Sequence, residues 1–296
     1  MAAYGLYSHI RANKVRSLFL LAGLFLLVYV LVFAGALVAE AYTHGNLPLN
    51  RIIERAMRDF WQSVPFATVG SVVWIVIAYY FHQNMIDAMT GSESVTRKQE
   101  PRLYNLLENL CVSRGIPMPK LKIMESDALN AFATGLNQRQ YSITVTTGLI
   151  NRLDDAELEA VLGHELTHIR NGDAQMMVVG MVIAGVVSFF GEMLFRMFTN
   201  GGFRYRSSSS SDRKGGAGAA ILIAVVLIMV AWLLSVVIRL ALSRSREYLA
   251  DAGAVELTKN PDAMISALRK IENRGELPGS PSAVMEMCID NPPTGF

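Results

Sequence analysis

Four long apolar runs constrain this chain before any motif is considered. Ser17 to Ala39 carries no charged residue across more than 20 positions, enough for one helical crossing of a bilayer. Val64 to Phe81 is shorter and opens at Pro65, Met176 to Phe195 contains Glu192, and Ala217 to Leu242 carries Arg239 near its end. In hydrocarbon every backbone N–H and C=O must be bonded within the protein, so such runs predict helices. Their spacing predicts two hairpins. At 52% hydrophobic residues the chain is too apolar for an ordinary soluble domain. The first run is long for a signal peptide, no small-x-small cleavage site in it is followed by a mature soluble domain, and a second run soon follows, which favours a retained helix pair. Glu192 and Arg196 stand four apart, as an embedded polar site or, more simply, as snorkelling side chains at the interface. A formal net charge of +2 without a basic block gives no nucleic-acid footprint.

The runs divide the chain. Residues 1–81 are expected to form a first transmembrane hairpin, with its linker from Asn46 to Ser63. Residues 82–175 have soluble, mixed α/β patterning. Glu100 to Arg114 carries a Leu103, Leu106, Leu107, Leu110 stripe and ends at Gly115 and Pro117, as an amphipathic helix does. Leu121 to Glu125, Asn130 to Gly135 and Tyr141 to Thr147 read as short strands. Residues 176–242 form a second hydrophobic hairpin around a Gly/Ser-rich linker, 200–219, and 243–296 return to soluble character.

Within the soluble part stands His164-Glu165-Leu166-Thr167-His168. Asp154 as N-cap with Glu157 three residues on forms a capping box, Leu158, Val161, Leu162, Leu166 and Ile169 recur at helical spacing, and Asn171-Gly172 makes a stop. On a helix the two histidines lie one turn apart on one face, where two imidazoles bind one zinc ion and Glu165 reaches a metal-bound water. The plainer alternative is an amphipathic helix with two exposed histidines. Catalytic zinc takes a third protein ligand, and Ser243-Arg244-Ser245-Arg246-Glu247-Tyr248-Leu249-Ala250-Asp251 offers one. Glu247 and Asp251 share a helical face, so Glu247 can ligate while Asp251 orients a ligand histidine. Alternatively both acids pair with Arg244, Arg246 or other surface cations. Cys111 and Cys288 have no C-x-x-C spacing and read as reduced, partly buried thiols. There is no G-x-S-x-G elbow and no Walker lysine loop.

The two histidines precede the second hairpin and Glu247 follows it. One shared metal therefore requires both soluble segments on one side of the membrane, so the hairpin crosses twice or not at all. Arg11, Lys14 and Arg16, with Arg97, Lys98 and Arg102, favour a cytoplasmic N-terminus and catalytic domain. The basic residues Arg196, Arg204, Arg206, Arg213 and Lys214 pull the other way.

H-E-L-T-H, Asn171-Gly172-Asp173, S-R-S-R-E-Y-L-A-D and the upstream N-A-F-A-T-G together resemble the HtpX-type membrane zinc metalloproteases, over nearly the whole chain. The resemblance implies an α-helical membrane protein with an α+β, minigluzincin-like protease domain and two transmembrane hairpins. It implies a multi-pass protein of the bacterial inner membrane, facing the cytoplasm and acting on unfolded or misfolded membrane proteins. It assigns one zinc ion per chain to His164, His168 and Glu247 and catalysis to Glu165. That family continues beyond the segment matching Asp290 to Phe296, so this chain is expected to be shortened at its C-terminus.

The expected chemistry is peptide hydrolysis, with Glu165 as general base and then acid, zinc as electrophile and Asp251 behind the ligands. Tyr248 and Arg246 are weak candidates for an additional oxyanion donor. Asn130, Ala131, Phe132, Ala133 and Thr134 read either as an edge strand that pairs with an extended substrate or as an ordinary core strand. Rival readings are a prenyl-protein endoprotease, disfavoured by only four apolar runs, an intramembrane site-2-type protease, disfavoured by the charge of Asn151 to Glu159, and a non-catalytic membrane adaptor, disfavoured by the intact Glu165.

Overall fold

The computed structural model describes residues 2–183, 185–186, 216–241, 244–272, 274–277, 282–285 and 287–289. Residues Met1–Leu18, Ala78–Met181 and Ala241–Phe296 cluster into one compact unit, and Phe19–Ile77 with Val182–Leu240 into a second.

The second unit is apolar and helical. It holds α1 (Ala2–Thr43) from Phe19 onward, α2 (Leu49–Thr90) as far as Ile77 and α7 (Ala217–Ala241) as far as Leu240. Ala34, Leu37 and Val38 of α1, Ala56 of α2 and Ala224 of α7 are buried together, and such small side chains let helix backbones approach closely. Tyr29 bonds Thr68 at 2.8 Å across the α1–α2 pair. Phe66, Val69, Val73 and Val76 remain exposed, as lipid-facing residues must be. Among the described residues three helices are long and apolar enough to span: Ala22–Thr43, Leu49–Thr90 and Ala217–Leu234.

Three sequence expectations change here. The stretch expected to link the first pair of helices, Asn46 to Ser63, is already helical from Leu49. Its alternating charges mark a helix that has left the apolar layer, not a break. Pro65 lies inside α2, where its ring removes a single N–H donor from a long helix. The expected Gly/Ser linker 200–219 ends earlier than read, because Ala217 to Ala219 belong to α7. The third apolar run is described only as α6 (Asp173–Ile183) and residues 185–186. Glu192, Arg196 and the serine run lie outside the described residues.

The first unit holds a four-stranded sheet of order β1-β2-β4-β3, made of β1 (Glu93–Ser94), β2 (Lys120–Met124), β3 (Ala131–Thr134) and β4 (Ser142–Thr146). β2 pairs parallel with β4, while β1 and β3 pair antiparallel at the two edges. α3 (Pro101–Arg114) starts on its proline and stops at Gly115, whose φ of 63° supplies the left-handed cap. α4 (Thr147–Arg152) and α5 (Asp155–Asn171) follow β4 directly. Leu103, Leu107 and Leu110 of α3, Ile143 and Val145 of β4 and Leu158, Leu162 and Leu166 of α5 form one core. α8 (Arg244–Thr258) and α9 (Pro261–Ile271) lie against α5, and α10 (Ser282–Met285) is a last short turn of helix.

The far end of α2 belongs to this unit and bonds the sheet. Lys122, 3% exposed, donates to Asp87 at 2.6 and 2.7 Å and to Gln83 Oε1 at 3.0 Å. Gln83 Nε2 donates to Thr134 at 3.0 Å, which in turn bonds Ser142 at 2.8 Å. A buried ammonium is tolerated only when paired this completely. The network fixes β3 from its rear.

Candidate metal centre

The capping box sets the register of α5. Glu157 N–H donates to Asp154 Oδ1, and the Glu157 carboxylate accepts from Asp154 N–H, each at 2.9 Å. His164 and His168 then fall on one buried face, with their Nε2 atoms 3.1 Å apart and their rings crossed at 80°. Glu247, in the first turn of α8, places Oε2 3.4 Å from Nε2 of His164 and 3.6 Å from Nε2 of His168. An ion held tetrahedrally at about 2.0–2.1 Å spaces its nitrogen and oxygen ligands about 3.4 Å apart. The triangle of 3.1, 3.4 and 3.6 Å therefore has the size of one face of such a coordination shell. Among the described residues no other group of three His, Cys, Asp or Glu side chains converges this way.

Carboxylates stand behind both imidazoles. Asp251 Oδ1, one turn beyond Glu247, lies 2.9 Å from His164 Nδ1. Asp173 Oδ2 lies 3.2 Å from His168 Nδ1 and is fully buried. The acceptor at His168 Nδ1 holds the tautomer whose Nε2 lone pair faces the centre, and the Asp251 carboxylate stands close behind His164 Nδ1 as its charge partner. Asp173 is a site residue that spacing alone did not assign. It follows the helix stop, and Gly172 at φ 76° turns the chain so that Asp173 comes back under His168.

The electrostatics are those of a cation site. Burial opposes protonation of His164, but Asp251 and Glu247 outweigh it and hold the imidazole above its ordinary value. His168 is pushed up to about 10, since Asp173 and Glu247 likewise overcome burial. Burial would raise the Glu247 carboxyl, yet the two imidazoles hold it far below the usual carboxylate range. Three acids thus surround two imidazoles, and the negative field that favours their protonated forms also favours a cation, with which protons compete.

Glu165 is 1% exposed, and neither carboxylate oxygen has a hydrogen-bond partner. Burial, reinforced by the charge of Glu247, raises its carboxyl, against the histidines and the Ala133 backbone of β3. An orphaned buried carboxylate costs about 1–3 kcal/mol or more and fits a group that meets a metal-bound water. These observations match the donor chemistry of a zinc site.

α8 can sit this close because of Gly253. A Cβ there would meet Thr167 Cγ2 at 2.3 Å, while Thr167 Oγ1 is itself held to Gly163 O at 2.8 Å. Ala250 and Ala254 are fully buried beside it.

Of the proposed substrate strand, Ala131 to Thr134 form edge strand β3, whereas Asn130 precedes it. Asn130 is buried, with Nδ2 donating to Gly275 O at 2.6 Å and Oδ1 accepting from Ala131 N–H at 2.9 Å, so it anchors the strand entry. Tyr248 is 78% exposed and Arg246 is buried.

Comparison with known proteins gives one consistent picture. Residues 97–289 match the model of peptidase family M48. The chain is 37% identical to a protease HtpX homolog of Bacteroides fragilis, over 92% of this chain and 84% of that one. It is 35% identical to a protease HtpX homolog of Lactobacillus helveticus, over 97% and 91% respectively. It is 38% identical to a protease HtpX homolog of Listeria innocua, over 90% and 84%. Among solved structures it is similar to the crystal structure of S. mikatae Ste24p, at 18% identity and a TM-score of 0.45, covering 96% of this chain and 65% of that one.

Proposed function

The chain belongs to peptidase family M48, and on that premise we propose that it is a zinc endopeptidase whose competent site is His164, Glu165, His168 and Glu247. It is a membrane-bound metalloprotease. The observation that carries the finer reading is the ligand triangle of 3.1, 3.4 and 3.6 Å with the orphaned Glu165 beside it.

Zinc held by His164, His168 and Glu247, one ion per chain, would supply Lewis acidity that lowers the pKa of a water and polarises the substrate carbonyl. Glu165, next in the chain after His164, accepts the proton of that water and returns it to the leaving amine. A carboxyl whose proton affinity is raised by burial suits a group that both accepts and returns a proton. Asp173 and Asp251 keep both Nε2 atoms directed inward. β3 remains the strand proposed to pair with an extended peptide, although residues 287–289 already meet its outer edge at Ala131 and Phe132.

Backbone pairing reads no side chains, which supports unfolded or misfolded membrane proteins as the substrate class. The basic residues beside the first two apolar runs support a cytoplasmic site on the inner membrane. The test is cleavage of unfolded casein in detergent, with zinc, with chelator and with Glu165→Gln. Zinc-dependent cleavage that Glu165→Gln abolishes, with zinc still bound, is expected. Undiminished cleavage by the variant sinks the assignment.

A further inference from the structure

The second apolar run, Val64 to Phe81, is about 27 Å long as a helix, close to the thickness of a hydrocarbon core. It closes on Tyr79, Tyr80 and Phe81, which are 43, 67 and 53% exposed, and the polar His82-Gln83-Asn84 follows. Exposed aromatic side chains at the end of an apolar run sit at headgroup level. Tyr79 and Gln83 share one face of α2, while Tyr80 and Phe81 point elsewhere around it.

The shared face is tied to the β3–β4 hairpin. Asn137 Nδ2 donates to the Tyr79 hydroxyl at 3.0 Å, and Gln140 Nε2 donates to Tyr79 O at 2.8 Å. Gln83 Nε2 donates to Gln140 O and to the Thr134 hydroxyl, each at 3.0 Å. Loop 135–141 is thereby held beside Tyr79 and Gln83, which are about 6 Å apart along the helix. Gln138 and Arg139 of this loop are exposed, as is Lys120, whose N–H donates to Tyr141 O at 2.9 Å. Neither cation belongs to an ion pair among the described residues. Two cations beside an aromatic band complement the phosphates of a lipid surface.

We propose that loop 135–141 is a membrane-surface contact, seated in the phospholipid headgroup layer with Arg139 on lipid phosphates, and that it holds the metal centre close to the bilayer. β3 leads directly into this loop. At about 3.3 Å per residue Ala133 lies within roughly 7 Å of Gly135. Ala133 packs with Leu162 and Leu166 of α5, and its backbone stands beside Glu165. The centre is then about 10 Å from the headgroups, so an extended client presents to it the bonds a few residues outside the bilayer. The contact rests on the chain being membrane-bound, and its effect on cleavage rests on the zinc-protease reading.

The experiment uses the full chain in vesicles of phosphatidylcholine with phosphatidylglycerol. One arm places a fluorophore at Gln138→Cys, with Tyr80→Cys marking headgroup level; Cys111 and Cys288 are buried. A nitroxide on the lipid headgroup is expected to quench both labels alike, and Arg139→Glu is expected to weaken quenching at position 138. Quenching at 138 by a water-soluble nitroxide alone overturns the contact, and quenching unchanged by Arg139→Glu overturns the role of phosphate. The second arm adds zinc and substrates made of one transmembrane helix, a Gly/Ser tether and an unstructured segment. A flexible tether of n residues spans about 5–6 Å × √n, so the rate should peak near four residues and fall roughly eight-fold by sixteen. A peak at sixteen residues or more puts the centre over about 20 Å from the surface and overturns the proposal. Cleavage that survives Glu165→Gln, or none at any length, fails the zinc-protease reading instead, and the quenching arm still decides the contact.

Discussion

Gly253→Ala is a sensitive probe of how the metal centre is assembled. On a free helix surface this change stabilises by about 1 kcal/mol, because alanine loses less backbone entropy. Here the new Cβ stands 2.3 Å from Thr167 Cγ2 and 2.7 Å from Oγ1, so α8 or Thr167 must yield by about 1 Å to reach ordinary contact. Thr167 is β-branched, and its hydroxyl is bonded to Gly163 O, so it yields poorly. Overpacking of this kind costs about 1–3 kcal/mol, which cancels or exceeds the entropic gain. The larger effect falls on Glu247 and Asp251, because a metal site tolerates only about 0.2 Å of error in its ligand distances. Zinc affinity should fall roughly 10–100-fold, the scale seen when supporting groups of a zinc ligand are lost. The assay is competition for zinc against a chromophoric chelator, alongside a thermal melt of metal-free protein. Thr167→Ala should restore part of the affinity, since it removes both close atoms and leaves Thr167 Cβ at 3.1 Å. A variant about 1 kcal/mol more stable than wild type, with undiminished zinc affinity, would refute the close-approach account.

Three further outcomes are expected. Asp173→Ala removes the acceptor at His168 Nδ1 and should lower zinc affinity roughly 10–100-fold while Glu165 remains in place, as read by the same competition assay. Lys270→Met strips the partner 2.6 Å from the buried Glu157 and should destabilise by about 1–2 kcal/mol in chemical denaturation, a value reduced because Lys270 is partly exposed. Burial would raise the Glu157 carboxyl, but Lys270, Ser266 and the Asp154 N–H together hold it below its ordinary value. Its folded-state pKa is then lower than its unfolded one, so its stabilisation is complete above the unfolded value near 4.3 and is lost as pH falls through the folded value. Melting curves of Glu157→Gln should accordingly show a shallower loss of stability on the acid side than those of wild type.

The centre was legible in the sequence where a local rule sets geometry. Asp154 and Glu157 announce the start of α5, helical periodicity puts His164 and His168 on one face, and Glu247 and Asp251 share a face of α8. Asp173 was hidden because it lies past a glycine stop, and only the left-handed turn at Gly172 returns it to His168. The extent of α2 was misjudged because a change from apolar to charged residues marks a change of surroundings, not of backbone conformation. Gly253 gave no signal, since close packing against Thr167 depends on which helix faces it. The bridge from Phe132 to Cys288 was equally silent, because β-pairing between residues so far apart in the chain leaves no local pattern.

His164, His168 and Asp173 precede the second pair of apolar runs, while Glu247 and Asp251 follow it. A ribosome delivers the first half of the centre well before the second, and chains fold in the order in which they emerge. A nascent chain therefore carries two histidines and a buried acid but no third ligand until those runs have cleared the exit tunnel. On the proposed assignment of Glu247 as third ligand, the metal centre is completed only once α8 has been synthesised.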